Sequence, residues 1–146
     1  MEKQRILISG GSQGIGAALV GLARRHGHDV VFTGRHDGSV AEVAKKTGAH
    51  GLTADHVVAG VNERVVDACR GEMGGVDVLV NNAATWYDAA IGGLDVGRMR
   101  ELFEVNVFGM VDLTNRIVPL MRGQESGDIV NISSTSGTKG RKLGTA

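Results

Sequence analysis

Three glycines, Gly10, Gly14 and Gly16, follow a short apolar run from Arg5 to Ser9 and stand in the spacing Gly-x-x-x-Gly-x-Gly. Glycine accepts tight or positive-φ backbone and lets an anion approach the main chain closely. Ile15, Leu19 and Leu22 begin within the same stretch at i, i+4, i+7, which marks a helix directly behind the loop. The unpaired amides and positive dipole end of such a helix suit a phosphate group. The spacing is neither Gly-x-Gly-x-x-Gly nor a P-loop, because no Lys-Ser/Thr pair follows Gly16. Its place after the first strand predicts a phosphate loop, with a turn that serves only helix–strand packing as the alternative. A second residue with chemistry to account for is Asn106. It shares a helix stripe with Met99, Phe103, Met110, Leu113 and Ile117, and an amide left unsatisfied there costs about 1–3 kcal/mol. A backbone hydrogen bond is the simplest partner.

Other candidates carry less. His26 and His28 have no nearby cysteine or third ligand and predict no metal site. Cys69, beside Ala68 on an inward helix face, reads as a small core residue rather than a nucleophile. The Lys139-Gly140-Arg141-Lys142 run reads as a loop, with contact to an acidic or phosphorylated substrate carrier as the alternative.

Short apolar segments alternate with helical periodicities along the chain. Strands are predicted at Arg5 to Ser9, Asp29 to Thr33, His50 to Ala54, Val76 to Asn81 and Asp128 to Ser133. A helix follows each of the first four. They are the one from Ile15 that stops at Gly27, a polar one around Val40 to Lys46, one with Val61, Val65, Ala68, Cys69 and Met73 on one face, and a long one over 96–121. The unbroken Val78-Leu79-Val80 run fits a strand covered on both faces. Strand–helix alternation predicts a parallel α/β sheet with helices on both sides. Val105, Val107, Phe108, Val111 and Val118 make the long helix apolar on more than one side, so it is expected to pack on the sheet and on a further helix or subunit.

Composition excludes several classes. Glycine accounts for 23 of 146 residues, more than twice the usual ~7 %. Sixteen basic and sixteen acidic side chains leave no cationic field for nucleic acid. No apolar stretch approaches the ~20 residues of a membrane span. Only Ile6-Leu7-Ile8 follows the polar N-terminus, too short for an export signal. With a single cysteine there is no intrachain disulfide, and the expected location is the cytoplasm. The length suits one domain.

Five segments together resemble the short-chain dehydrogenase/reductase family. Ser9-Gly10-Gly11-Ser12-Gln13-Gly14-Ile15-Gly16 is similar to its TGxxxGxG loop, with Ser9 for threonine. Ala54-Asp55 resembles its adenine-contacting acidic position, and Asn81-Asn82-Ala83-Ala84 its NNAG motif with Ala84 for glycine. Glu104-Val105-Asn106-Val107 is similar to the segment that holds its active-site asparagine, and Ile129 to Ser134 to the strand that delivers its serine.

The resemblance implies a Rossmann-like, doubly wound sheet of about five strands in the order 3-2-1-4-5, spanning 1–146. It also implies hydride transfer between a nicotinamide dinucleotide and a carbonyl/alcohol substrate, such as a 3-oxoacyl compound or another ketone. Gly10, Ser12, Gln13, Gly14, Ile15 and Gly16 would then line the phosphates and adenosine ribose. Asp55 would meet the adenine amino group with His56 beside it, and Asn82 and Ala83 would run along the cofactor. Ser134, with Ser133 as the competing choice, would hold the substrate oxygen, and Asn106 would hold a water in a proton relay. At the end of the second strand, Gly34 stands where a carboxylate would favour NAD(H), and Arg35 follows. NADP(H) is therefore expected over NAD(H). Asp37, 21 residues beyond Gly16, argues the other way, and Arg35 as a solvated loop charge is the remaining alternative.

The family's general acid is the tyrosine of a Tyr-x-x-x-Lys motif. The only tyrosine here is Tyr87, with Ile91 four residues on, so Trp86 and Tyr87 are expected to flank the substrate cleft or cover its loop. Set against the family's longer sheet, the chain is expected to be the N-terminal portion of a larger enzyme and nearly inactive alone. A homo-oligomer paired through the long helix is expected as well. A non-catalytic dinucleotide-binding or interaction module, or an inactive fragment, is the competing reading.

Overall fold

A computed structural model describes residues 2–139, so the basic run from Gly140 onward lies outside the described residues. The elements in chain order are β1 (Arg5–Ile8), α1 (Gly14–Arg25), β2 (Asp29–Gly34), α2 (Asp37–Thr47), β3 (His50–Thr53), α3 (Val61–Met73), β4 (Val78–Asn81), α4 (Val96–Phe103), a π-helical segment (Glu104–Gly109), α5 (Met110–Gly123) and β5 (Asp128–Asn131). The strands form one parallel sheet in the order β3-β2-β1-β4-β5.

The two-residue period of the strands divides the core. Leu7, Val31 and Leu79 point to one face, where Val65 and Cys69 of α3 and Leu113 and Ile117 of α5 cover them. Ile6, Ile8, Val30, Phe32 and Val80 point to the other face, under Val20 of α1 and Val40 of α2. Ile6 to Ile8, Val30 to Phe32 and Leu79-Val80 thus have helices to meet on both faces, which is why these runs are apolar without alternation.

Boundaries moved by a few residues. Helix α2 starts at Asp37 rather than Val40, because the Val40 amide already donates to the His36 carbonyl at 3.0 Å. Asp37 also brings a favourable negative charge to the first turn.

The long helix departs further from expectation. It is interrupted by the π-helical segment, and its apolar stripe is buried only in the second half: Leu113 and Ile117 reach the core, Met99 is half-buried and Phe103 is 46 % exposed. Helix α4 buries no residue. Length explains this. The run from Val96 to Gly123 is about 40 Å long at 1.5 Å per residue, whereas a four-residue strand covers about 13 Å. The sheet cannot cover the whole helix. Strand β5 is exposed along its length, with Ile129 41 % and Val130 44 % exposed on opposite faces.

Candidate functional site

A cleft of about 370 Å³ opens at the C-terminal ends of β1, β2 and β4. Strand order reverses between β1 and β4, and open α/β sheets bind ligands at such a switch point. Gly10, Ser12, Gln13, Gly14, Ile15, Gly16, Arg35, Asp55, His56, Asn82 and Ala83 all line it. The structure therefore brings the eleven residues of the cofactor expectation into one cavity.

The loop after β1 is stitched to the end of β4. The Ser9 hydroxyl accepts from the Asn82 and Ala83 amides, each at 3.0 Å, and the Asn82 side-chain amide donates to the Ser9 and Gly10 carbonyls, each at 3.0 Å. Asn82 thus shapes the loop with its own donors. Gly10 adopts φ 66°, and a Cβ there would stand 2.8 Å from the Ala83 Cα. A Cβ on Gly16 would enter the Gly10 carbonyl oxygen. No side chain caps α1, and its first turn carries no acid. Its leading amides and dipole are left for an anion. The cradle fits a dinucleotide diphosphate in backbone, charge and space.

The side of the cleft where adenosine is expected is built by β2 and the loop after β3. Arg35 is exposed on the rim, with no ion pair or hydrogen bond among the described residues. Asp37 opens α2 and does not line the cleft. The Asp55 carboxylate accepts from the Val57 amide at 3.3 Å and stays partly open to the cavity. His56 is placed beside it, but its ring turns inward. Nε2 lies 2.8 Å from the Thr33 hydroxyl and Nδ1 2.6 Å from the Asn62 Oδ1. Burial holds its pKa below the ordinary histidine value, against the pull of the Asn62 hydrogen bond and of the Asp55 and Asp112 charges.

The part where the substrate is expected is less enclosed. Asn106 sits in the π-helical segment, a feature frequent at functional sites. Its Oδ1 accepts from the Thr85 amide and its Nδ2 donates to the Thr85 carbonyl, both at 2.8 Å. Its backbone partner is therefore not on its own helix but on the loop after β4, and among the described residues one lone pair and one N–H have no partner. The Ser134 hydroxyl accepts from the Ser136 amide at 3.1 Å and caps the short turn Thr135–Gly137. Neither Asn106 nor Ser134 lines the cleft. Trp86 does line it, 73 % exposed at the mouth. Tyr87 is buried under the loop instead, its hydroxyl donating to the Asp95 carbonyl at 3.2 Å and its ring 4.1 Å from the Arg98 guanidinium. That phenol is spent on holding the loop.

Two contributors escaped the sequence reading. Thr33 and Asn62 are buried polar residues, and each looked like an ordinary member of a strand or helix. For Asn62 the available signal was an amide in the buried Val61, Val65, Val66 row. Among the described residues no group of three or more His, Cys, Asp or Glu is placed to hold a metal, and no helix is long and apolar enough to cross a membrane.

Comparison with known proteins agrees with this geometry. The family model for short chain dehydrogenases matches residues 4–146. An uncharacterised oxidoreductase of Staphylococcus saprophyticus is 33 % identical over 99 % of this chain and 64 % of its own length. Retinol dehydrogenase 8 of Bos taurus is 36 % identical over 92 % of this chain and 46 % of its own. Among solved structures, an F189W actinorhodin polyketide ketoreductase with NADPH superposes with a TM-score of 0.91 at 28 % identity, over 97 % of this chain and 57 % of that one. The chain spans about half to two-thirds of the length of the relatives it matches. With the loop, the switch-point cleft and the sheet order in place, the chain belongs to the short-chain dehydrogenase family.

Proposed function

We propose that this chain carries the dinucleotide-binding part of an NADP(H)-dependent oxidoreductase acting on a small carbonyl/alcohol substrate, such as a 3-oxoacyl compound or another ketone. The observation that carries it is the cleft: a glycine cradle with no room for a Cβ at Gly10, Gly11 or Gly16, in front of an uncapped helix without acids. When bound, the nicotinamide supplies or takes the hydride. The protein's own work is to hold the diphosphate on Gly10 to Gly16, the adenosine against Asp55, and the substrate oxygen at Ser134. Asn106, with its unused lone pair and N–H, joins the proton relay while it clamps Thr85. Trp86 stands over the open mouth, where a substrate would enter.

A general-acid tyrosine is worth about 10²–10⁴ in rate. Tyr87 is engaged with Asp95, so these 146 residues alone are expected to turn over slowly. Val96, Phe103, Phe108 and Val111 are exposed on the long helix and support pairing with a second copy through it. A cytoplasmic location belongs to the same reading. NADP(H) is favoured because Arg35 is unpaired on the rim and Gly34 offers no carboxylate to repel a 2′-phosphate. Titration of NADPH and NADH by nucleotide fluorescence tests this. NADPH is expected to bind at least about tenfold tighter, with the preference lost in Arg35→Ala, since a charged hydrogen bond contributes roughly 1.5–3 kcal/mol. Equal affinities, or tighter NADH, defeat the NADP(H) reading.

A further inference from the structure

Behind the cleft a chain of polar groups runs from the phosphate loop through buried Thr33 and Asn62 to the half-exposed Asp112, and the proposed chemistry gives no role to its members beyond Gly10. The Gly10 amide donates to the Thr33 hydroxyl at 3.4 Å, and the Thr33 hydroxyl meets His56 Nε2 at 2.8 Å. His56 Nδ1 meets Asn62 Oδ1 at 2.6 Å, and Asn62 Nδ2 donates to Asp112 Oδ2 at 2.7 Å. Asp112 is held in turn by Arg116 at 3.0 Å, which also reaches Glu63 at 2.7 Å. The line links the phosphate loop, β2, α3 and α5. It crosses at His56, whose backbone packs against Gly109 so closely that a Cβ there would lie 3.2 Å from the His56 carbonyl.

The chemistry of the groups fixes the direction of every bond. An ionised Asp112 only accepts, so Asn62 must turn its NH₂ toward it and its oxygen toward His56. That oxygen requires a proton on His56 Nδ1. Neutral His56 then has a bare Nε2, which accepts the Thr33 proton and leaves a Thr33 lone pair for the Gly10 amide. A second proton on His56 reverses this. Thr33, fully buried, would then face two N–H groups, neither of which accepts its own proton.

We propose that His56 is a positioning residue for dinucleotide binding: as the neutral Nδ1–H tautomer, braced by Asn62 and Asp112, it holds Thr33 and through it Gly10 of the phosphate loop. The inference rests on the reading of the cleft as a dinucleotide site. The charged groups around the ring are Asp55 in its own loop, Asp112 and Arg116 of α5, and Glu63 of α3, while β2 presents the Thr33 hydroxyl. The carboxylates favour the imidazolium, yet burial outweighs them and keeps the ring neutral at pH 7. By linkage, a ligand that needs neutral His56 binds more weakly as pH falls through the histidine's pKa, and lowers that pKa when bound.

The test is an NADH titration of the wild-type chain from pH 8 to pH 5, with nitrogen-15 spectra of the His56 ring alongside. NADH is the probe because it lacks a titrating 2′-phosphate. His36 also lines the cleft, and the ring spectra separate its signals from those of His56. The expected result is the Nδ1–H tautomer and about tenfold weaker binding at pH 5, within the usual range of coupling between sites. In Asn62→Asp the acid limb should move upward by about one pH unit, because a carboxylate beside the ring favours the imidazolium. A limb that stays put in Asn62→Asp, an Nε2–H tautomer, or equal binding at pH 5 and pH 8 overturns the inference and leaves the dinucleotide site standing. A chain that binds neither NADH nor NADPH at pH 8 overturns both.

Discussion

The two sides of the sheet's centre are built differently. Strands β1, β2 and β4 carry Leu7, Ile8, Val31, Phe32 and Leu79 at 0 or 1 % exposure under helices on both faces. Strand β5 and helix α4, by contrast, bury no residue. The first region holds the glycine loop, where a Cβ on Gly10 or Gly16 would run into neighbouring backbone. The second holds Ser134 and leads into Asn106, and it leaves Ile129, Val130, Ile132 and Phe108 open. The glycine loop is thus backed by a finished core, whereas the β5 side presents apolar surface with nothing among the described residues to cover it.

Four perturbations would break or sharpen that contrast. The largest effect is expected from Phe32→Ala, about 3–5 kcal/mol of stability by denaturant unfolding, because the ring is fully buried among Ile8, Val30 and Val40. Gly16→Ala follows. Its Cβ would run into the Gly10 carbonyl, so roughly 1–3 kcal/mol of strain is expected, together with loss of measurable NADPH binding in a fluorescence titration. Unchanged binding would show that the cradle is looser than its geometry.

Asp77→Asn comes third. Asp77 accepts from the Arg5 backbone amide at 2.8 Å and from its Nε at 3.0 Å at the start of the central strands. A cost of about 1 kcal/mol at pH 7 is expected for weakening these bonds. The Arg5 guanidinium lowers the Asp77 pKa, so its stabilisation is present above the unfolded carboxylate value and is lost as pH falls below about 4. Wild type and variant should therefore converge in acid, and parallel curves would remove the pair from the account. The smallest effect is expected at β5. Ile129→Thr with Val130→Thr should change stability by less than about 1 kcal/mol, since both side chains are already over two-fifths exposed. The same change should raise solubility, measured by static light scattering. A large loss of stability would show that β5 is as integral as β1.

Much of this was legible before any coordinates. Gly10, Gly14 and Gly16 marked the loop, and the unbroken Val78-Leu79-Val80 run marked a strand with helices on both faces. Periodicity groups Met99 and Phe103 with Leu113 and Ile117 but does not show that the first two stay open, because it tells which residues share a face and not how far the partner surface extends. Asn106 was recognised as needing a partner, yet Thr85 could not be named as that partner. The two lie 21 residues apart, joined by a loop whose path no local pattern records.

What the amino-acid sequence determined by itself was the series of elements, the place of the glycine loop and the family. Helical and strand periods, glycine placement and short motifs are properties of neighbours along the chain. What only the tertiary structure decided was which polar groups meet. Thr33, His56, Asn62 and Asp112 come from four separate segments, up to 50 residues apart in a single bond. Their alignment follows from packing β2, α3 and α5 around one core, and a buried donor's need for an acceptor has no spacing in sequence.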